Sequence, residues 1–78
     1  MPELTLYGRT SCPYCVKVMR FMQSRHINIP IKDTTDPANR EELIRIGGKG
    51  QVPCLVIDGK ALYESMDIIA WMQQNLLK

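Results

Sequence analysis

Residues 7–15 read Tyr7-Gly8-Arg9-Thr10-Ser11-Cys12-Pro13-Tyr14-Cys15, and they decide the fold because they join a strand to a helix through a pair of thiols. Upstream, Leu4-Thr5-Leu6-Tyr7 alternates apolar and polar side chains and stops at Gly8, the pattern of a short half-buried strand. Downstream, Val16, Met19 and Met22, flanked by Val18 and Phe21, recur at helical spacing as far as about Arg25. Cys12 thus falls at the N-cap of this helix, with Pro13 at the first helical position, where a missing N–H is harmless. The free N–H groups of a first helical turn and the positive end of the helix dipole both favour a thiolate at that place. Cys12 is the expected nucleophile. Arg9 adds a fixed positive charge three residues earlier and offers a fork for a carboxylate. Cys15, about one turn on, is expected to face the core as the protonated, resolving thiol, close enough to Cys12 for a small disulfide.

Working outward, Ile27, Ile29 and Ile31 alternate with Asn28, Pro30 and Lys32, a half-buried strand that its internal proline pushes to a sheet edge, reached by a parallel crossover. Asp36-Pro37 reads as a helix start, and Leu43, Ile44 and Ile46 carry a short helix, charged outside, to Gly47-Gly48. Pro53-Cys54-Leu55-Val56-Ile57 is almost continuously apolar, as a central strand is, and Asp58-Gly59 turns it into a hairpin with Ala61-Leu62-Tyr63. Ser65 is the expected N-cap of a last helix whose face is Met66, Ile69, Met72 and Leu76, widened by Ile68, Trp71 and Leu77. The order is β-α-β-α-β-β-α, an α/β protein.

With 78 residues the chain has room for one domain, 1–78. Apolar residues at 45% and charged residues at 23% exclude a disordered or fibrous chain. The net charge of +2, from ten basic and eight acidic side chains scattered along the chain, is too weak for a nucleic-acid footprint. No apolar run is long enough to span a membrane, and Met1-Pro2-Glu3-Leu4 lacks the cationic start of a secretory signal, so a cytoplasmic protein is expected. Three cysteines are far below a disulfide scaffold. A zinc pair at Cys12 and Cys15 lacks further ligands, since His26 lies about 16 Å along the helix from Cys15, and Cys54, alone on a buried strand, reads as core.

Over essentially its whole length the chain resembles the glutaredoxins. Tyr7 to Cys15 is similar to their first strand and dithiol site, with Cys-Pro-Tyr-Cys the most specific signature. Gln51-Val52-Pro53 is similar to the segment whose cis-proline faces the catalytic cysteine in thioredoxin-fold proteins. Asp58-Gly59 through Glu64-Ser65-Met66-Asp67 is similar to the hairpin and last-helix start that hold the γ-glutamyl end of glutathione. One departure stands out: Tyr63-Glu64-Ser65-Met66-Asp67 replaces the usual glycine pair and Cys-Asp-Asp-type turn and is similar to the Glu-Ser motif of glutathione transferase N-terminal domains and transferase-like glutaredoxins. Those proteins add a helical C-terminal domain; because this sequence stops at Lys78, a transferase that relies on such a domain is not expected.

The resemblance implies a single thioredoxin-like domain, a four-stranded mixed sheet with three flanking helices. It implies a glutathione-dependent thiol–disulfide oxidoreductase acting on glutathionylated or disulfide-containing proteins through a redox-active Cys12–Cys15 disulfide. Glutathione is the co-substrate, no cofactor is tightly bound, no metal is held, and neither nucleic acid nor membrane is a partner. A monomer is expected. In this reading the Ser65 and Met66 N–H groups and the Ser65 hydroxyl take one glutathione carboxylate beside Glu64, and Asp67 pairs with the ammonium. Val52 lends its backbone to the cysteinyl unit next to Pro53, and Arg9 with Lys49 or Gln51 takes the glycyl carboxylate. Tyr14 packs on or shields the sulfurs. Two alternatives stay open: a redoxin reduced directly by thioredoxin reductase, and an iron–sulfur module with Cys12 and glutathione as ligands on two protomers.

Overall fold

Strand β1 (Leu4–Gly8) runs through the middle of a four-stranded sheet in a computed structural model that describes residues 2–77; residues 1 and 78 of the expected domain lie outside the described residues. The other elements are α1 (Pro13–Ser24), β2 (Ile31–Asp33), α2 (Pro37–Gly47), β3 (Cys54–Ile57), β4 (Lys60–Tyr63) and α3 (Ser65–Asn75), in the expected order. The sheet order is β2-β1-β3-β4, with β2 parallel to β1 and the other neighbours antiparallel. This is a single thioredoxin-like domain with a mixed sheet and three helices. None of the described helices is long and apolar enough to cross a membrane.

Strand alternation builds two cores, one on each face of the sheet. Leu6 and Leu55, opposite each other in the β1–β3 ladder, join Val18 and Met22 of α1, Ile29, and Ile68 and Met72 of α3 in one cluster. Tyr7 and Cys54, the next pair, turn to the other face and meet Leu43 of α2 and Val56. The β3–β4 turn places Asp58 at φ 49° and Gly59 at φ 82°, the two positive values that a tight I′ hairpin requires.

Several sequence expectations shift. The isoleucine alternation was expected to make Ile27–Lys32 a strand, but β2 begins only at Ile31. The Ile27 amide donates to the Met22 carbonyl at 2.9 Å to close α1, and Pro30 has no N–H for a ladder; its carbonyl accepts from Leu6 at 2.9 Å just before β2 starts. The edge position of β2 is as expected. On α2, Ile44 and Ile46 are exposed and Leu43 alone is buried. On α3 the buried positions are Ser65, Ile68 and Met72, while Met66 is 59% exposed, so the inward face is turned by about one residue from the expected Met66 stripe. Its cause lies at the helix start: Glu64, not Ser65, is the N-cap, and Ser65 is already helical and buried.

Candidate active site

The end of β1, the loop before β3 and the starts of α1 and α3 lie together at one end of the sheet, where Cys12 is placed. As expected, Cys12 is the N-cap of α1, in extended conformation, with Pro13 at the first helical position. Its side chain closes no fully formed capping bond. Partial burial works against its ionisation, yet the Cys15 amide and thiol, the Tyr14 amide and the Arg9 charge outweigh that effect and hold the Cys12 thiol below its ordinary value. Cys15 is fully buried. Burial, together with donation of its own S–H to Cys12, pushes its pKa up to about 11. One sulfur is accessible and readily ionised; its neighbour is enclosed and protonated.

A cavity of about 540 Å³ reaches Tyr14, two residues from Cys12, and is lined further by Gln51, Val52, Pro53, Glu64, Ser65 and Met66. Seven of the expected site residues therefore meet on one depression, from three separate stretches of sequence. The Val52–Pro53 peptide is cis, as the resemblance implied. Tyr14 and Met66 are 65% and 59% exposed, an apolar lip on the cavity. Glu64 holds φ 75°, a conformation costly for a residue with a side chain, by about 1–3 kcal/mol, and typical of ligand clamps. Since Glu64 makes no side-chain cap, the first amides of α3, from Ser65 onward, are left without an intrahelical partner.

Three expected residues stand apart. Arg9 is exposed on the β1–α1 loop and acts through its charge on Cys12. Asp67 is exposed in the first turn of α3, outside the cavity lining. Lys49 sits with its ammonium 4.6 Å from the centre of the Tyr63 ring, also outside the lining.

The sequence reading missed Tyr63 as a site residue. Its hydroxyl donates to the Lys49 carbonyl at 3.0 Å and so ties the end of β4, next to Glu64, to the loop that carries Gln51 and Val52. Gly47 makes this approach possible, because a Cβ there would lie 2.0 Å from the Tyr63 oxygen. The adjacent Gly47-Gly48 was legible as a helix stop, but the need for a hydrogen atom in place of a methyl group at 47 comes from a strand distant in sequence. Cys54 lies directly under this join, fully buried. Burial pushes its thiol up to about 11, against the Leu62 backbone and the Tyr63 hydroxyl, so it is a core residue, as expected.

The family model for the glutathione S-transferase N-terminal domain matches residues 6–76. Glutaredoxin 3 of Escherichia coli strain K12 is 29% identical over 73 residues, 90% of this chain and 86% of the relative. Among solved structures, glutathione transferase Omega 3C from Trametes versicolor superposes with a TM-score of 0.83 at 26% identity, over 95% of this chain. The chain spans 32% of that transferase, about a third of its length. Oxidized glutaredoxin 2 from Chlamydomonas reinhardtii superposes with a TM-score of 0.68 at 26% identity, over 97% of this chain and 76% of its own.

Proposed function

Because the chain belongs to the glutathione S-transferase N-terminal domain family and is glutaredoxin-like, we propose that it is a glutathione-dependent thiol–disulfide oxidoreductase that reduces protein–glutathione mixed disulfides and protein disulfides. The observation that carries this reading is the pairing of an ionisable, accessible Cys12 with a buried, protonated Cys15 beside a cavity that ends at an uncapped helix start.

The Cys12 thiolate attacks the glutathione sulfur of a mixed disulfide. A Cys12–glutathione bond forms, the substrate's S–S bond breaks, and the electron pair leaves with the substrate thiolate, which takes up a proton. A second glutathione thiolate then attacks the glutathione sulfur bound to Cys12, releasing glutathione disulfide and restoring Cys12. On protein disulfides, Cys15 loses its proton and attacks Cys12 of the enzyme–substrate mixed disulfide, and two glutathiones reduce the resulting Cys12–Cys15 bond.

Glutathione lies along the cavity. The amides of Ser65 and Met66, with the Ser65 hydroxyl, hold the γ-glutamyl carboxylate at the positive end of α3, and Asp67 pairs with the ammonium. The Val52 backbone pairs with the cysteinyl unit beside Pro53; Arg9, with Gln51 or Lys49, takes the glycyl carboxylate. Tyr14 packs on or shields the sulfurs. The family's transferase activity is not assigned to this chain, which matches a third of that structure's length.

A coupled assay decides this. With a glutathionylated substrate, the protein turns over with glutathione and glutathione reductase, and Cys12→Ser abolishes the rate. Turnover supported by thioredoxin reductase alone would overturn the glutathione-dependent reading.

A further inference from the structure

Residues 4–32 contain no Asp or Glu, whereas Arg9, Lys17, Arg20, Arg25 and Lys32 all fall among them. Charge is therefore not evenly scattered, contrary to the expectation from composition: it is segregated onto the segment that carries Cys12. Lys32 is paired with Glu42, and Arg25 lies 5.3 Å from the centre of the Phe21 ring at the far end of α1. Arg9, Lys17 and Arg20 remain, all exposed and in no ion pair among the described residues. Lys17 and Arg20 stand three residues apart on one helix, a like-charge pair that disfavours the helix itself.

These two side chains, with Thr10, Ser11, Pro13 and Val16, line an open groove of about 520 Å³. Ser11 and Pro13, the chain neighbours of Cys12, are both in its lining, so one end of the groove adjoins the Cys12 segment. Two depressions thus flank the Cys12 segment, one lined by Tyr14 and the other by Pro13. Only the Pro13 side is cationic: the Tyr14 side carries the acid Glu64 and no Lys or Arg.

On the functional reading above, the glutathionyl half of a mixed disulfide occupies the Tyr14 side. The polypeptide half then has the Pro13 side. We infer that the Thr10–Arg20 groove docks the polypeptide of the substrate and selects for Asp and Glu near its modified cysteine. Charges of this kind, at an exposed rim, raise the encounter rate and set partner preference more than they deepen affinity, and added salt weakens them.

The test uses three peptides of equal length, each with one glutathionylated cysteine flanked by Glu, Ser or Lys, and the mixed disulfide of glutathione with mercaptoethanol as a reference without a polypeptide. The variant is Lys17→Glu/Arg20→Glu, which leaves Cys12, Arg9 and the Tyr14-side cavity intact. For the native protein kcat/KM falls in the order Glu, Ser, Lys, with roughly 2- to 30-fold between the extremes if two rim pairs act. The gap narrows as salt rises from 50 to 300 mM. The variant reverses the order while its mercaptoethanol mixed-disulfide rate stays native, which excludes misfolding. Equal rates for the three peptides, or an order that survives in the variant, would overturn the inference. If the native protein does not turn over the reference compound with glutathione, the functional reading fails instead. Docking is then read from fluorescence anisotropy of the unmodified labelled peptides, where binding indifferent to Lys17→Glu/Arg20→Glu counts against the groove.

Discussion

The Tyr63 hydroxyl donates a hydrogen bond to the Lys49 carbonyl oxygen across 3.0 Å, and this contact fixes the two walls of the Cys12 cavity relative to each other. One wall is the loop before β3; the other is the start of α3, which Tyr63 adjoins. Tyr63→Phe removes a partly exposed hydrogen bond worth about 0.5–1.5 kcal/mol and leaves the ring in place. The expected outcome is a small fall in melting temperature with a larger rise in KM for glutathione, kcat being nearly unchanged. Gly47→Ala forces the phenol aside and costs about 1–3 kcal/mol of stability despite the better helix propensity of alanine. Denaturant unfolding of the two single variants and the double variant measures their coupling, and strict additivity would show that the two sites do not share this contact.

Alkylation of the reduced protein by iodoacetamide selects Cys12. Its thiol is held below the ordinary value, whereas those of Cys15 and Cys54 are pushed up to about 11 and both residues are enclosed. Mass spectrometry after brief labelling at pH 6–7 is expected to find one adduct, on Cys12. Earlier labelling of Cys15 would reverse the assignment of nucleophile and resolving thiol.

The same values set a slope of stability with pH. A thiol whose folded-state pKa is raised keeps its proton in the native state after the unfolded chain has lost it, so folding weakens as pH climbs from the ordinary thiol value of about 8.5 toward 11. Cys12, lowered, has the opposite sign: its contribution is fully present above the unfolded thiol value and is lost as pH falls through its folded value. Urea unfolding of the reduced protein between pH 8 and 11 is expected to show declining stability. Cys54→Ala makes that decline shallower, although its lost side chain lowers the starting point.

Asp67 is the sharpest test of the glutathione contacts, because it lies in the first turn of α3 but outside the cavity lining. If it pairs with the γ-glutamyl ammonium, Asp67→Asn loses a charge-assisted bond of about 1.5–3 kcal/mol, and kcat/KM for a glutathione mixed disulfide falls roughly 10- to 150-fold. Turnover of a dithiol substrate through Cys12 and Cys15 changes far less. Unchanged glutathione kinetics with a small melting shift would leave Asp67 as a first-turn acid favourable to the helix dipole.

What could be read from the sequence was what depends on near neighbours. The Cys12 N-cap, Asp36-Pro37, the Asp58-Gly59 turn and the apolar run of β3 are each determined within a few residues, and each lies where expected. Seven cavity residues were accessible through two motifs, 51–53 and 64–66, together with Tyr14. What failed turned on which of several competing local arrangements wins, or on a partner in another element. The isoleucine alternation at 27–31 gave no sign that the Ile27 amide is used to close α1. Ser65 has the chemistry of a cap, but the chain leaving β4 makes the cap at Glu64 and turns Ser65 inward. Tyr63 was visible only as a strand residue, because its partners at 47 and 49 belong to another element.

Glu64 carries a consequence for how this protein responds to selection. Its φ of 75° suits glycine, and its side chain lines the cavity. A screen of variants for heat resistance without substrate is biased toward Glu64→Gly, since it relieves the backbone and asks nothing of the side chain. A screen for glutathione turnover is expected to retain the acid if its carboxylate joins the proposed glutathione contacts. Position 64 is thus where the two screens are expected to select different residues.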